Sequence, residues 1–249
     1  MTILYVIEQH DQLLHLWREQ QAGGLRVVHL DFHCDLRGLL INRRTQQAYL
    51  INDQPPELDE GNFLTHAIIE GRIECLHWIH RLPGGRQYDV GTVKYETDLT
   101  GRWLSWLLAL KGRPARPIHY EVMELSAWPG LTEGEFLDID WDFFASLEYP
   151  LNSIQAQVES FLGLEWAAAP QQISVCYSPD FSHPSRSDFE TFIQRLAEKF
   201  GATLVRLPPP SPVVETPAGY KKYIPRTFYQ RLRRGYYQTN LWLRQKGIY

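Results

Sequence analysis

The residues best suited to chemistry lie in two short runs where an apolar strand gives way to alternating acids. The first, Leu25-Arg26-Val27-Val28-His29-Leu30-Asp31-Phe32-His33-Cys34-Asp35, is apolar and β-branched until its carboxyl end. Side chains alternate across a strand, so Asp31, His33 and Asp35 are expected on one side and Phe32 and Cys34 on the other. The second, Phe136-Leu137-Asp138-Ile139-Asp140-Trp141-Asp142, repeats the arrangement with three acids. Neighbouring carboxylates repel, and at least one must keep its proton unless a cation lies between them. Single acids after strands often serve only as turn residues or helix caps. Two such runs in one chain favour a metal site instead.

Oxygen and imidazole donors suit Mn²⁺ and also accommodate Fe²⁺, Co²⁺ or Zn²⁺. The carboxylates of Asp31, Asp35, Asp138 and Asp140 together balance two divalent ions. On strand alternation Cys34 is a packing residue rather than a ligand. Cys34, Cys75 and Cys176 are widely spaced and include no Cys-x-x-Cys pair, so neither a disulfide framework nor a thiolate zinc site is indicated, and a reducing cytoplasm is the simple expectation.

These acids need strands to carry them. Apolar runs of strand length recur at residues 3–7, 25–30, 75–79, 118–125, 135–139, 173–177 and 203–207. Between them, Leu13, Leu14 and Trp17 mark one helical face, Phe63, Ile68 and Ile69 another, and Phe189, Phe192, Ile193, Leu196 and Phe200 a third. Alternating strands and helices predict a three-layer α/β/α sandwich around a mostly parallel sheet, with ligands gathered beyond the carboxyl ends of the strands. At 249 residues, 44% hydrophobic and 22% charged, the chain fits one large domain. We place that domain at residues 1–207, followed at 208–249 by a Pro-rich connector and a basic, aromatic C-terminal segment packed on it. The first residues read as a buried strand rather than a signal peptide, and no run is long enough to span a membrane. A net charge of -4 argues against a dedicated nucleic-acid partner.

Asp-x-His-x-Asp after one strand, followed about a hundred residues later by Asp-x-Asp after another, resembles the arginase and agmatinase (ureohydrolase) superfamily, which includes the histone deacetylase-like amidohydrolases. Glu8-Gln9-His10-Asp11, the run from His29 to Leu36, Gly61-Asn62-Phe63, Gly71 with Trp78, and the run from Leu137 to Phe144 look like a functionally uncharacterised branch of that fold. The resemblance covers about residue 5 to about residue 185. It implies that His10, Asp31, His33, Asp35, Asp138 and Asp140 hold two metals, with His10 in the place of a ligand that precedes the Asp-x-His-x-Asp strand. The pattern departs after Asp140, where Trp141, Asp142, Phe143 and Phe144 replace the usual continuation and give the neighbouring loop a more aromatic shape. Arginine or agmatine specificity does not transfer.

Two adjacent metals can bind a bridging water, lower its pKa towards neutrality and aim the hydroxide at an sp² carbon. Hydrolysis of a C–N bond in an amide, amidine or guanidine fits, on a small-molecule or peptide-like substrate. The leaving amine needs a proton. Candidates are Asp142, which could equally cap a helix; His66, in a segment resembling the Gly-Asn-x-His of arginases with one residue inserted; and Asp180 and His183, in the turn-rich stretch Ser178-Pro179-Asp180-Phe181-Ser182-His183-Pro184. Asn62 could orient substrate. Two alternatives remain: a catalytically inactive metal-binding scaffold or partner-binding protein on the same fold, its pocket plugged by Trp141, Phe143 or Phe144 and a docked tail, and a two-metal phosphoesterase, for which the further metal motifs are missing. The interleaved basic and aromatic tail fits a helix laid on the domain better than a nucleic-acid surface. Oligomeric state is left open.

Overall fold

The computed structural model describes residues 1–43, 45–50, 54–81, 113–146 and 153–209. In chain order its first half runs β1 (Ile3–Ile7), α1 (Asp11–Glu19), β2 (Leu25–Leu30), β3 (Leu39–Asn42), β4 (Gln47–Leu50), α2 (Phe63–Ile69) and β5 (Ile73–His80). The second half runs β6 (Arg113–Pro117), β7 (His119–Glu124), β8 (Glu135–Asp140), α3 (Asp142–Ala145), α4 (Ile154–Leu162), β9 (Gln172–Cys176), α5 (Arg186–Phe200) and β10 (Thr203–Arg206).

Each of the seven strand-length runs in the sequence becomes a strand of one sheet, ordered β10-β1-β9-β8-β2-β5-β7, with every pairing parallel. A small antiparallel sheet, β3-β4-β6, was not foreseen. Its outer strand, Arg113-Pro114-Ala115-Arg116-Pro117, carries two prolines and lacks the alternation that marks a strand.

The pleat divides the core. Tyr5, Ile7, Val27, Leu76, Trp78 and Phe136 face α1 and α2, against Leu13, Leu14, Trp17, Phe63, Leu64 and Ile68. Leu4, Val6, Val28, Leu30, Leu137, Ile139, Ile173 and Val175 face the other way, against Phe144, Val158, Phe161, Phe189, Phe192 and Leu196 from α3, α4 and α5. Helices thus cover both faces, giving the expected α/β/α sandwich.

The side taken by each crossover follows from its direction. Connections from β1 to β2 and from β2 to β5 step one way across the sheet and carry α1 and α2; those from β8 to β9 and from β9 to β10 step the other way and carry α4 and α5. A right-handed crossover requires opposite faces for opposite directions. The direction changes between β2 and β8, so the loops after these adjacent strands diverge and leave a crevice at their carboxyl ends.

Among the described residues no helix is long and apolar enough to cross a membrane. The basic aromatic segment lies outside the described residues, apart from the start of its connector, where the Pro208 carbonyl accepts a hydrogen bond from Gln12 Nε2 at 2.8 Å.

Candidate metal centre

The crevice at the carboxyl ends of β2 and β8 holds the acids of both runs. Asp31, Asp138 and Asp142 are fully buried, and Asp35 and Asp140 nearly so. His10, at the start of α1, reaches over from the end of β1. Its Nδ1 lies 3.2 Å from Asp35, 3.3 Å from Asp140 and 3.7 Å from Asp31, and its ring stacks on Phe63 with centroids 4.9 Å apart. Five of the six residues implied as metal ligands are therefore within a few ångströms of one another. The sixth, His33, lies beside them, its Nδ1 2.9 Å from Asp142 and 3.7 Å from Asp31.

The acids converge for two different reasons. Asp138 and Asp140 share the pleat of β8, as alternation predicts. The first run departs from that expectation because β2 ends at Leu30. The segment that follows is a turn in which Asp31 Oδ1 accepts the His33 backbone N–H at 2.7 Å and Asp35 takes a positive φ of 51°. An Asp tolerates that left-handed conformation better than most residues. Cys34 packs in the core on the α1/α2 side, with Leu36 and Leu39.

Alternation instead reveals a residue to which the sequence reading gave no role. His29 shares the pleat side of Asp31 and pairs in register with Asp138. Its Nδ1 is 2.8 Å from Asp138 Oδ2 and its Nε2 is 3.1 Å from Asp31 Oδ2, so one imidazole links the acids of the two strands. From β9 and the residues just beyond it, Ser174 donates to Asp138 Oδ1 at 2.5 Å and Ser178 to Asp140 Oδ2 at 2.7 Å. The small residues at alternate positions in Ser174-Val175-Cys176-Tyr177-Ser178 were the signal for that contribution.

Among the described residues these charges meet only imidazoles. Among the described residues no lysine or arginine pairs with Asp31, Asp35, Asp138, Asp140 or Asp142. Burial, then repulsion from Asp142, Asp35 and Asp140, pushes the Asp31 carboxyl well above the ordinary carboxylate range. Burial and Asp142 likewise raise Asp140. Burial works against charge on Asp138 and Asp142 too, but His10 and His29 hold the first low and His33 the second. His10 is raised well above its usual value, because Cys176, Asp138 and Asp140 outweigh its desolvation.

Four buried atoms of the cluster, Asp142 Oδ2, His10 Nε2, His29 Nε2 and Asp31 Oδ2, lack a well-formed hydrogen bond. The last two are 3.1 Å apart yet not aligned to bond each other. Buried carboxylates whose nearest described cations are imidazoles, several of their polar atoms unpartnered, fit a divalent metal, because leaving a charge buried and unpaired costs several kcal/mol.

The other residues singled out from the sequence fall around this cluster. Asn62 is buried, but both ends of its amide are engaged by the chain: Oδ1 accepts from the Asp59 backbone N–H at 2.9 Å and Nδ2 donates to the Glu57 carbonyl at 2.6 Å. His66, on α2, has its Nε2 2.9 Å from the Pro56 carbonyl oxygen. Asp180 is half-buried beyond β9, and His183 lies on the same turn, with its backbone N–H donating to the Ala145 carbonyl at 2.7 Å.

Glu60, overlooked in the sequence, stands beside Asn62 in a short 3-10 turn. Burial and the nearby Asp180, Asp140 and Asp11 raise its carboxyl to about 8, so it is largely protonated at neutral pH. The aromatics after Asp140 do not shape the crevice as expected. Trp141, Phe143 and Phe144 are buried in the core on the opposite side of the sheet, with Trp141 Nε1 donating to Ser185 Oγ at 3.0 Å. Half-exposed Phe32 and Phe181 instead contact His33, each with a ring centroid 5.1 Å away.

No family model matches the sequence, and no curated protein does. Two solved structures are similar in fold. Proclavaminate amidino hydrolase from Streptomyces clavuligerus is 15% identical over 80% of this chain and 62% of its own, with a TM-score of 0.41. A hypothetical agmatinase from Burkholderia thailandensis is 14% identical over 80% of this chain and 58% of its own, with a TM-score of 0.36. This chain spans about six tenths of the length of either. Likeness at that level carries no argument about activity.

Proposed function

We propose that this chain is a metal-dependent hydrolase of C–N bonds, acting on an amidine or guanidine in preference to a neutral amide. One observation carries the reading: five buried carboxylates and three imidazoles meet at the switch point of the sheet with no lysine or arginine among the described residues to neutralise them. In this reading His10, Asp31, His33, Asp35, Asp138 and Asp140 hold two divalent ions, with Mn²⁺ the best match to a donor set dominated by carboxylate. Such ions supply a water nucleophile at neutral pH and polarise the bond under attack.

The protein's own groups do the rest. Asp142, 2.9 Å from His33 Nδ1, holds that imidazole at the edge of the cluster, as a carboxylate beside a ligating histidine does. His29 and Ser174 hold the two oxygens of Asp138, and Ser178 holds one oxygen of Asp140. We assign to Glu60, whose carboxyl burial and the neighbouring acids raise to about 8, the proton for the departing amine. Asn62 fixes the turn that aims Glu60, rather than meeting substrate itself. Asp11 and Asp180 give the surroundings of Glu60 a negative potential, which favours a positively charged amidine or guanidine. Trp141, Phe143 and Phe144 stand in the core, so the plugged scaffold gains no support from their positions.

The test is metal analysis of the purified chain before and after Mn²⁺ loading, beside the Asp138→Asn/Asp140→Asn double variant, followed by a screen of guanidino and amidino compounds for released urea or ammonia. About two ions per chain, lost in the double variant, together with turnover of a cationic substrate, is the expected result. Failure of both preparations to bind metal overturns the proposal.

A further inference from the structure

A second group of donors lies on the other face of the sheet, towards the amino-terminal ends of the strands. β5 carries Cys75 and His77 two residues apart, and β7 carries His119 and Glu121 two residues apart. The strands pair in parallel with Cys75 opposite His119 and His77 opposite Glu121. Residues two apart share a pleat face, so the register sets a square of four potential ligands: a thiol, two imidazoles and a carboxylate. No spacing within either segment suggested this, because Cys-x-His and His-x-Glu become a motif only when the two strands are laid side by side.

The distances are those of ligands around one small ion. Cys75 Sγ is 3.3 Å from His77 Nε2, which is 4.0 Å from Glu121 Oε2, and Glu121 Oε1 is 3.4 Å from His119 Nε2. One donor atom each from Cys75, His77 and His119 lie within 4.8 Å of one another. Bond lengths of about 2.3 Å to sulfur and about 2.0 Å to nitrogen place tetrahedral neighbours roughly 3.5 Å apart. Cys75 is buried and His77 mostly so, while His119 and Glu121 are half-exposed, so the cluster opens to solvent.

The surroundings fit a ligating imidazole. With Nε2 turned to Cys75, His77 directs Nδ1 to Glu135 Oε1 at 3.3 Å, and Glu135 is itself buried. A carboxylate on the far nitrogen is the usual support of a metal-bound histidine. Arg26, 3.9 Å from Glu135, partly balances that carboxylate from the next strand.

We propose that Cys75, His77, His119 and Glu121 form a second metal site, selective for a thiophilic divalent ion such as Zn²⁺ and distinct from the carboxylate centre at the opposite end of the strands. Binding forms a sulfur–metal bond as the thiol proton of Cys75 and any proton on His77 leave to solvent. The ion ties β5 to β7, the last strand of the sheet among the described residues.

The experiment is titration of the full, metal-stripped chain with Co²⁺, read by the sulfur-to-cobalt charge-transfer band in the near ultraviolet, with Zn²⁺ as competitor. A band that saturates at about one ion per chain, is displaced by Zn²⁺ and persists in the Asp138→Asn/Asp140→Asn variant is expected. That variant matters because Cys176 lies beside His10 and Asp140 and could otherwise give the same signal. Cys75→Ser should abolish the band. His119→Ala, at a half-exposed position where the fold tolerates truncation, should weaken cobalt binding at least about tenfold. No band in the wild-type chain, or a band unchanged in both variants, overturns the proposal.

Discussion

The two sides of β8 show how one strand can serve opposite ends. On one side Asp138 and Asp140 are buried among His10, His29, Ser174 of β9 and Ser178 just beyond it, a cluster in which burial and mutual repulsion disfavour the charged state of Asp31 and Asp140. On the other side Leu137 and Ile139 join a core continuous with Trp141, Phe144, Phe161, Phe189 and Phe192. The rings of that core meet mostly edge-on or tilted, as between Phe144 and Phe161 at 5.4 Å. The difference teaches that at the carboxyl end of β8 the pleat separates chemistry from packing. The apolar side fixes the strand, and the acidic side tolerates charges that no hydrophobic core would accept.

The sharpest way to break that comparison is to remove one acid. Asp140→Asn should reduce turnover to background, yet raise the melting temperature of the metal-stripped chain by relieving repulsion with Asp142 and Asp31. Thermal melts in chelator, run beside activity assays with Mn²⁺, test both halves; a lower melting point would show that the cluster stabilises the fold without metal. The apolar side should respond in the reverse sense. Phe161→Ala, at a fully buried ring, should cost about 3–5 kcal/mol by urea unfolding while the protein that remains folded keeps its kcat. A large fall in kcat would mean that the two sides are mechanically coupled.

Most of the sheet was legible because its strands bury both faces and so read as short apolar runs. The β3-β4-β6 sheet was not, since Gln47-Ala48-Tyr49-Leu50 and the proline-bearing β6 carry no pattern of their own and form through pairing. At the site, the acids were visible because charge at the end of an apolar strand is conspicuous. His29 was hidden by its apolar neighbours, although the alternation that grouped Asp31 with His33 also placed His29 on their side. Glu60 was hidden for a different reason: its setting is made by Asp11, Asp140 and Asp180, which come from three other segments of the chain. Trp141, Phe143 and Phe144 misled because proximity in sequence to Asp140 was taken for proximity to the crevice, whereas the pleat and the start of α3 turn them into the core.

The residues around the acids offer a finer test than the acids themselves. Ser178→Ala removes the hydroxyl that occupies Asp140 Oδ2 and should lower metal affinity or kcat by about 10–100-fold without loss of metal at saturation. Isothermal titration with Mn²⁺ separates the two effects. A variant indistinguishable from wild type would reduce Ser178 to packing.

The smallest effect concerns pH and separates the metal-free from the loaded state. His10, Asp31, Asp140 and Glu60 are all raised in the fold, Glu60 to about 8. In the unfolded chain such groups titrate near about 6.5 for His, about 3.9 for Asp and about 4.3 for Glu. The folded state therefore binds more protons than the unfolded state across this interval, and stability must fall as pH rises through it. His80, lowered by burial, opposes the trend as a single group. Asp138 and Asp142 are lowered, so their contribution is kept above about pH 4 and lost only below it. Between about pH 8 and about pH 5, then, the metal-stripped chain should become more stable as acid is added, by about 2–4 °C, the shift that ~1 kcal/mol produces in a chain of this size. Loading with Mn²⁺ should reverse the slope, because protons now compete with the metal for the same oxygens and nitrogens. Melting curves at matched pH with and without metal read the crossing directly. Parallel slopes in the two states would mean that these groups do not bind the ion, and that the balance of charge beside β8 is struck in some other way.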